Sequence, residues 1–139
     1  MNETNIAKRQ GRYLIKKDSN YIGFWTNADE NKIKGSGVGL VINRHWEKHI
    51  RQITRFSNYY IDTLLVFKKI KLAIICIYIP PNDKEEKKKI QQQVIRRIRK
   101  CKKNRIRVIV MGDFNDIRNR EIDQNKELSN RKQSLPLLR

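Results

Sequence analysis

Apolar residues in this chain are grouped in short runs that polar segments separate. Runs rich in β-branched and aromatic residues predict strands at Tyr21–Trp25 and at residues 61–67, 72–79 and 106–111. The run at 72–79 does not alternate with polar residues, which indicates a strand that is buried on both faces. A further strand is predicted in the second half of residues 35–43, after a glycine-rich first half.

Lys84–Lys103 has a helical period instead. Its apolar residues form one stripe at helical spacing: Ile90, Val94, Ile95, Ile98 and Cys101. Asp83 is suited to cap this helix, with Glu86 three residues on as its reciprocal partner. The opposite face is predicted to carry basic side chains: Lys87, Lys88, Lys89, Arg96, Arg97, Arg99 and Lys100. The order strand, strand, helix, strand predicts an α/β (α+β) fold with the helix packed on a sheet.

The composition adds a strong positive charge to this picture. The chain has 139 residues, which allows one domain, and its 32 Lys and Arg against 14 acids give a formal charge of +18. Nucleic acid is the default partner for such a charge. The alternative is a compositional bias, because Lys, Asn and Ile are frequent throughout the chain.

Cysteine usage and hydropathy bear on the compartment. Cys76 and Cys101 lie far apart and form neither a disulfide framework nor a zinc motif, which suits a reducing environment. The longest apolar run is too short to span a bilayer, and residues 1–10 lack the apolar core of a signal peptide. We therefore expect an intracellular soluble protein, and the basic segment at residues 96–107 resembles a nuclear-import patch.

The candidate chemistry lies at the end of the last predicted strand, in the sequence Gly-Asp-Phe-Asn. Side chains alternate along a strand, so Asp113 and Asn115 project from the same side. A carboxylate can orient water or bind a hard cation, and an amide can donate to a phosphoryl oxygen, which suits Mg²⁺-dependent hydrolysis of a phosphate ester. The alternative is a simple turn, since Gly, Asp and Asn are the commonest turn residues.

Tyr78 occupies the corresponding place at the end of the strand at residues 72–79, before Pro80 and Pro81. If the two strands are neighbours, Tyr78 lies at the same sheet edge as Asp113 and Asn115. A phenol there can hydrogen-bond a phosphate. The alternative is a buried tyrosine with a satisfied hydroxyl group.

These motifs occur in the order GSGVGL, YIPPN, helix, VIVMGDFND, and together they resemble the endonuclease/exonuclease/phosphatase (DNase I-like) family. The endonuclease domain of LINE-type retroelements is the most similar variant. The resemblance implies a four-layered α/β sandwich, with two sheets face to face and helices outside. It also implies hydrolysis of phosphodiesters, here DNA, or of phosphomonoesters with Mg²⁺ or Mn²⁺.

The resemblance assigns a role to each matching residue. Asp113 resembles the aspartate that orients the attacking water, Asn115 the asparagine that contacts the scissile phosphate, and Tyr78 the tyrosine that supports it. Glu3, in a short Asn-Glu-Thr match, resembles the metal-binding glutamate. The alternative for Glu3 is an exposed residue near a mobile terminus.

The chain also departs from the family pattern. It lacks the C-terminal Asp-His pair, and because His45 and His49 precede Tyr78, we interpret both as surface or packing residues. The glycines of GSGVG are interpreted as close-packing residues in a strand, since the helix of a nucleotide-binding loop does not follow. We therefore expect residues 1–139 to be a single partial domain, truncated at both ends.

Three functions remain open at this point. They are a metal-dependent DNA endonuclease, a non-catalytic basic nucleic-acid-binding remnant, and a family member that acts on lipid or inositol phosphates. The face of basic residues on the predicted helix either contacts phosphates or only keeps the helix solvated.

Overall fold

The described part of the chain forms two β-sheets and one long α-helix. The computed structural model describes residues 15, 19–27 and 36–115. The elements in chain order are β1 (Tyr21–Trp25), β2 (Gly39–Asn43), a 3₁₀ helix (Arg44–His49), β3 (Ile50–Ser57), β4 (Tyr60–Val66), β5 (Lys71–Tyr78), α1 (Lys84–Lys103) and β6 (Arg107–Asp113).

The topology is that of an α+β fold. Strands β1 and β2 form an antiparallel pair, and the second sheet has the strand order β3-β4-β5-β6. Its first three strands are antiparallel, whereas β5 and β6 are parallel because α1 connects them. The predicted order of strand, strand, helix and strand is thus confirmed in β4, β5, α1 and β6.

The core lies around β4 and β5. Every residue of β5 from Ala73 to Tyr78 is buried, which confirms the prediction that this strand is covered on both faces. Residues of β2 such as Leu40 and Ile42 belong to the same buried cluster, and Ile90 joins it from α1. Strand β5, which ends at Tyr78, is therefore held in place by packing on both of its faces.

Strand β3 was not predicted from the sequence. Its pairing with β4 shifts register twice, between Ile50 and Gln52 and again between Arg55 and Ser57. Each β-bulge adds a residue to one strand and breaks the alternation of apolar and polar positions. The period of two on which a strand prediction depends is therefore absent from this segment.

The glycine-rich segment that includes the first residue of β2 packs closely against an aromatic ring. A Cβ atom at Gly39 would overlap the six-membered ring of Trp25 on the neighbouring strand. Thr26 extends this pairing, since its hydroxyl accepts a hydrogen bond from the amide of Val38 at 2.8 Å. The interpretation of these glycines as close-packing residues is confirmed at Gly39.

The cap at Asp83 is confirmed, but the buried apolar stripe of α1 is narrower than predicted. The Asp83 side chain accepts a hydrogen bond from the backbone amide of Glu86 at 2.9 Å. Ile90 and Cys101 are buried, whereas Ile95 and Ile98 are 48% and 37% exposed. At about 100° per residue, Ile98 lies about 60° from Cys101, at the margin of the buried stripe, whereas Ile95 lies about 120° from it, toward solvent.

Arg97 was wrongly placed on the solvent face of the helix. Its guanidinium forms a two-point ion pair with Asp62 of β4, at 2.5 Å from Nε to Oδ2 and 3.3 Å from Nη2 to Oδ1. Both side chains are largely buried. This pair fixes the rotation of α1 on the sheet.

Some predictions fall on residues that the structure does not describe. The sequence also suggests a short helix at Ile6–Ile15 and a polar loop at Asn27–Lys34, and nearly all of both segments lies outside the described residues. Among the described residues, no helix has the length and apolar character needed to cross a membrane. The two cysteines are free thiols, and both are buried.

Candidate functional site

The carboxyl ends of β5 and β6 form the candidate site. These strands are parallel neighbours in which Tyr78 pairs with Asp113 and Ile77 pairs with Gly112. The helix between them returns the chain so that both strands end at the same edge of the sheet. The structure thus brings Tyr78 and Asp113 together as the sequence predicts.

Ile79 holds the polar segment that follows β6. Its backbone amide donates to the carbonyl oxygen of Asp113 at 2.8 Å. Its carbonyl oxygen accepts a hydrogen bond from Nδ2 of Asn115, also at 2.8 Å. The two polar groups of one residue therefore position both Asp113 and Asn115.

Gly-Asp-Phe-Asn also forms a turn. The backbone amide of Asn115 donates to Oδ1 of Asp113 at 2.9 Å, which is the hydrogen bond of an Asx turn. Asn115 has a φ of 41°, a left-handed conformation that asparagine tolerates better than most residues. The turn leaves both side chains exposed at the edge, so a turn and a site are compatible here.

The structure shows why position 112 is occupied by a glycine. Its φ is 142°, and a Cβ atom at this position would overlap the carbonyl oxygen of Ile77. The close neighbour is the backbone of β5, so Gly112 lets the two strand ends approach one another.

Tyr78 differs from its two neighbours in exposure. The residue is 3% exposed, and its ring packs against that of Tyr59, with centroids 6.0 Å apart. Its backbone amide donates to the carbonyl oxygen of Tyr59 at 3.0 Å. Tyr78 is therefore packed into this edge, whereas solvent reaches Asp113 and Asn115.

The described residues provide part of a ligand set for a divalent cation. Asp113 supplies a carboxylate and Asn115 an amide oxygen, which are hard ligands of the kind that Mg²⁺ prefers. Mg²⁺ is commonly held by one or two carboxylates together with waters and substrate phosphates. No group of three or more His, Cys, Asp or Glu close enough for a metal occurs among the described residues. Glu3, the predicted metal ligand, lies outside them.

The two histidines lie elsewhere. His45 is exposed, while Nδ1 of His49 is 3.2 Å from the carbonyl oxygen of Val66 and its ring is 4.5 Å from that of Phe67. Val66 pairs with the first residue of β5, at the end of the strand opposite Tyr78. The eight-residue strand β5 separates these ends by about 23 Å. The interpretation of the two histidines as surface or packing residues is confirmed, with His45 as a surface residue and His49 as a packing residue.

Sequence reasoning missed an apolar pocket beside this edge. The pocket has a volume of about 390 Å³ and is lined by Ile77, Gln91, Val94, Ile95 and Phe114. Phe114 lies between Asp113 and Asn115 in sequence and is 45% exposed. The sequence signal that could have indicated this pocket is Phe114, an apolar residue within a polar turn.

Comparison of the chain with models of protein families and with curated proteins finds no match. The resemblance to the endonuclease/exonuclease/phosphatase family therefore depends on the motifs alone.

Proposed function

We propose that this chain is a Mg²⁺-dependent phosphodiesterase domain that acts on DNA, of the endonuclease/exonuclease/phosphatase type. The observation that carries the proposal is the parallel register of β5 and β6, which sets Tyr78 beside Asp113. Hydrogen bonds from Ile79 then position Asp113 and Asn115 at the exposed edge. Two motifs that are 35 residues apart in sequence thus contribute to one site.

The proposal includes a four-layered sandwich. Helix α1 packs on the β3–β6 sheet and supplies an outer layer, and the β1–β2 pair contributes to the same core as β4 and β5. In the proposed architecture, β1 and β2 belong to the second, facing sheet. These contacts support a layered arrangement of helix, sheet and sheet.

Asp113 is the group that would orient the attacking water. Its Oδ1 already accepts the amide of Asn115, so its carboxylate is held in place before substrate binds. An ionised carboxylate has about four acceptor positions, and those that remain can take a water proton. A base held in this way avoids the entropic cost of orientation during the reaction.

Asn115 and Tyr78 would hold the phosphate. The Asn115 amide has two N–H donors, of which one is committed to Ile79, so the second can donate to a phosphoryl oxygen. The Tyr78 phenol would support the phosphate from within the packed edge. When bound, Mg²⁺ would neutralise charge that develops on the phosphate.

The net charge favours a polymeric substrate. A formal charge of +18 on 139 residues attracts a polyanion over long distances. Duplex DNA carries one negative charge per about 1.7 Å of its axis, far more than a single inositol phosphate presents. We therefore propose DNA as the substrate.

Nicking of supercoiled plasmid by the purified full chain tests the proposal. We expect relaxed circles to accumulate with Mg²⁺ but not with EDTA, and Asn115→Ala to slow this reaction at least tenfold. Asn104→Ala provides the matched control, because Asn104 is exposed and precedes β6 at the other end of the strand. Equal nicking with Mg²⁺ and EDTA, or none with either, would refute the proposed activity.

A non-catalytic DNA-binding module is the second candidate. One observation favours it: among the described residues, Asp113 does not belong to a group of three or more His, Cys, Asp or Glu side chains that could hold a metal ion. This candidate predicts salt-dependent binding without nicking, and equal binding by Asp113→Asn.

A further inference from the structure

Helix α1 carries a large share of the protein's charge. It has ten Lys and Arg residues and two Glu, so its formal charge is +8 of the total of +18. Like charges three and four residues apart destabilise a helix by about 0.2–0.5 kcal/mol per pair. The concentration of positive charge therefore lowers the stability of the helix. Fewer charges would be enough to keep its outer face solvated.

The outward face of α1 forms one basic stripe. Gln92, Arg96, Arg99 and Lys103 lie within about 60° of one another around the helix axis, at about 100° per residue. They point away from the sheet, opposite the buried Ile90 and Cys101. A surface groove follows this stripe and is lined by Gln92, Ile95, Arg96 and Arg99.

The direction of this stripe is fixed by contacts on the other side of the helix. Ile90 and Cys101 are fully buried, and Arg97 is paired with the buried carboxylate of Asp62. The stripe from Gln92 to Lys103 extends over about 17 Å along the helix axis. It thus places three cations in a straight row on a helix whose orientation is fixed.

The composition of the stripe discriminates among polyanions. Single-stranded nucleic acid is commonly bound by aromatic side chains that stack on bases, and α1 has no aromatic residue. A helix that binds lipid surfaces inserts a continuous apolar face, but Ile90 and Cys101 of α1 are buried against the protein, and only Ile95 and Ile98 of its large apolar residues are exposed. A straight row of cations that follows one glutamine fits the phosphates of a rigid duplex.

We propose that the outward face of α1 is a second DNA-binding surface, which contacts the phosphate backbone of duplex DNA without reading its sequence. Its basic residues are different from Tyr78, Asp113 and Asn115, although Ile95 lines both this groove and the apolar pocket beside the edge. The choice of DNA over RNA rests on the proposed function, whereas the phosphate-binding surface itself does not. Its role is to hold duplex DNA on the protein.

Binding of a 20-base-pair DNA duplex to the full chain in EDTA tests this surface without cleavage. The variant Arg96→Gln/Arg99→Gln/Lys103→Gln removes three exposed charges and retains good helix formers. If each residue contacts one phosphate, the slope of log K against log salt falls in magnitude by about 2.7. We expect an affinity loss of at least about tenfold at 100 mM salt.

Lys68→Gln/Lys69→Gln/Lys71→Gln is the matched control. These residues are exposed at the β4–β5 connection, and their substitution lowers the net charge by the same amount. We expect this control to retain affinity within about threefold. Equal losses in both variants, or no loss in the α1 variant, would overturn the proposal.

Two further arms separate the possible ligands. Tighter binding of a 20-base-pair RNA duplex than of the DNA duplex would overturn the choice of DNA. Binding of phosphatidylserine vesicles that depends on Arg96 and Arg99, without binding of the duplex, would overturn the nucleic-acid surface altogether. All of these binding experiments are done in EDTA. Their outcome therefore does not depend on whether the chain nicks DNA.

Discussion

Gly112→Ala tests how the two strand ends are held together. Gly112 has a φ of 142°, which a residue with a side chain rarely adopts, and the new methyl group would overlap the carbonyl oxygen of Ile77. The chain can relieve this overlap only by separating β6 from β5. That separation would displace Asp113 from its position beside Tyr78.

The structure sets the size of the expected effect. Backbone strain of this kind costs about 1–3 kcal/mol. The two hydrogen bonds that join Ile79 to Asp113 and Asn115 are next to the overlap, and each contributes about 0.5–1.5 kcal/mol. We therefore expect Gly112→Ala to lower the free energy of unfolding by about 3 kcal/mol.

Urea unfolding of the purified full chain measures this loss, and hydrogen exchange at the Ile79 amide locates it. Gly23→Ala is the control, because its neighbours are side chains and not backbone: the end of Ile15 and, at 3.0 Å, the ring of Trp25. We expect it to cost about 1 kcal/mol, clearly less than Gly112→Ala. The reasoning is refuted if Gly112→Ala is as stable as Gly23→Ala and the Ile79 amide keeps its protection.

Three further predictions follow from the packing. Arg97→Met leaves the Asp62 carboxylate buried without its partner, so we expect a loss of about 3–5 kcal/mol at pH 7 in urea unfolding. Burial raises the pKa of Asp62 and Arg97 opposes this shift; without Arg97 the folded-state pKa rises further above the unfolded value, so the loss should shrink from pH 7 to pH 5. A loss independent of pH would contradict this. Asp83→Ala removes the cap of α1 and should lower the free energy of unfolding by about 1 kcal/mol in the same assay. Unchanged stability would show that this cap does not stabilise the helix. Burial raises the pKa of Cys76 to about 11 and also raises that of Cys101, so both thiols should react slowly with a disulfide reagent at pH 8 and rapidly in urea; rapid reaction of the folded protein would argue against their burial.

The parts of the fold with a regular period could be predicted from the sequence. Strand β5, with its unbroken apolar run, and helix α1, with its cap and amphipathic pattern, can each be recognised from their own residues alone. A helix between two apolar strands then implies their parallel pairing. The meeting of Tyr78 and Asp113 follows from this local pattern.

Other features depend on contacts between distant segments. The bulges of β3 arise from its pairing with β4, so the strand itself shows no alternation. Asp62 and Arg97 are 35 residues apart, and each alone is typical of a solvated charge. Gly112 is visible in the sequence, but the carbonyl oxygen that requires a glycine there belongs to another strand.

The site was predicted in part. The edge and its polar residues follow from the ends of two strands, whereas the burial of Tyr78 against Tyr59 depends on a turn earlier in the chain. The pocket beside Phe114 also requires α1 and β5 together. A sequence motif thus locates this site but does not give its exposure.

The most direct test of the central claim is the nicking rate of Asp113→Asn relative to the wild-type chain, with Mg²⁺ and at equal occupancy of plasmid DNA. Asparagine keeps the size of the side chain and an oxygen that can accept the Asn115 amide, but it removes the charge. Our account predicts a rate at least about a hundredfold lower, with the affinity for DNA in EDTA within about twofold. Nicking by Asp113→Asn at the wild-type rate would show that this edge is not the catalytic site.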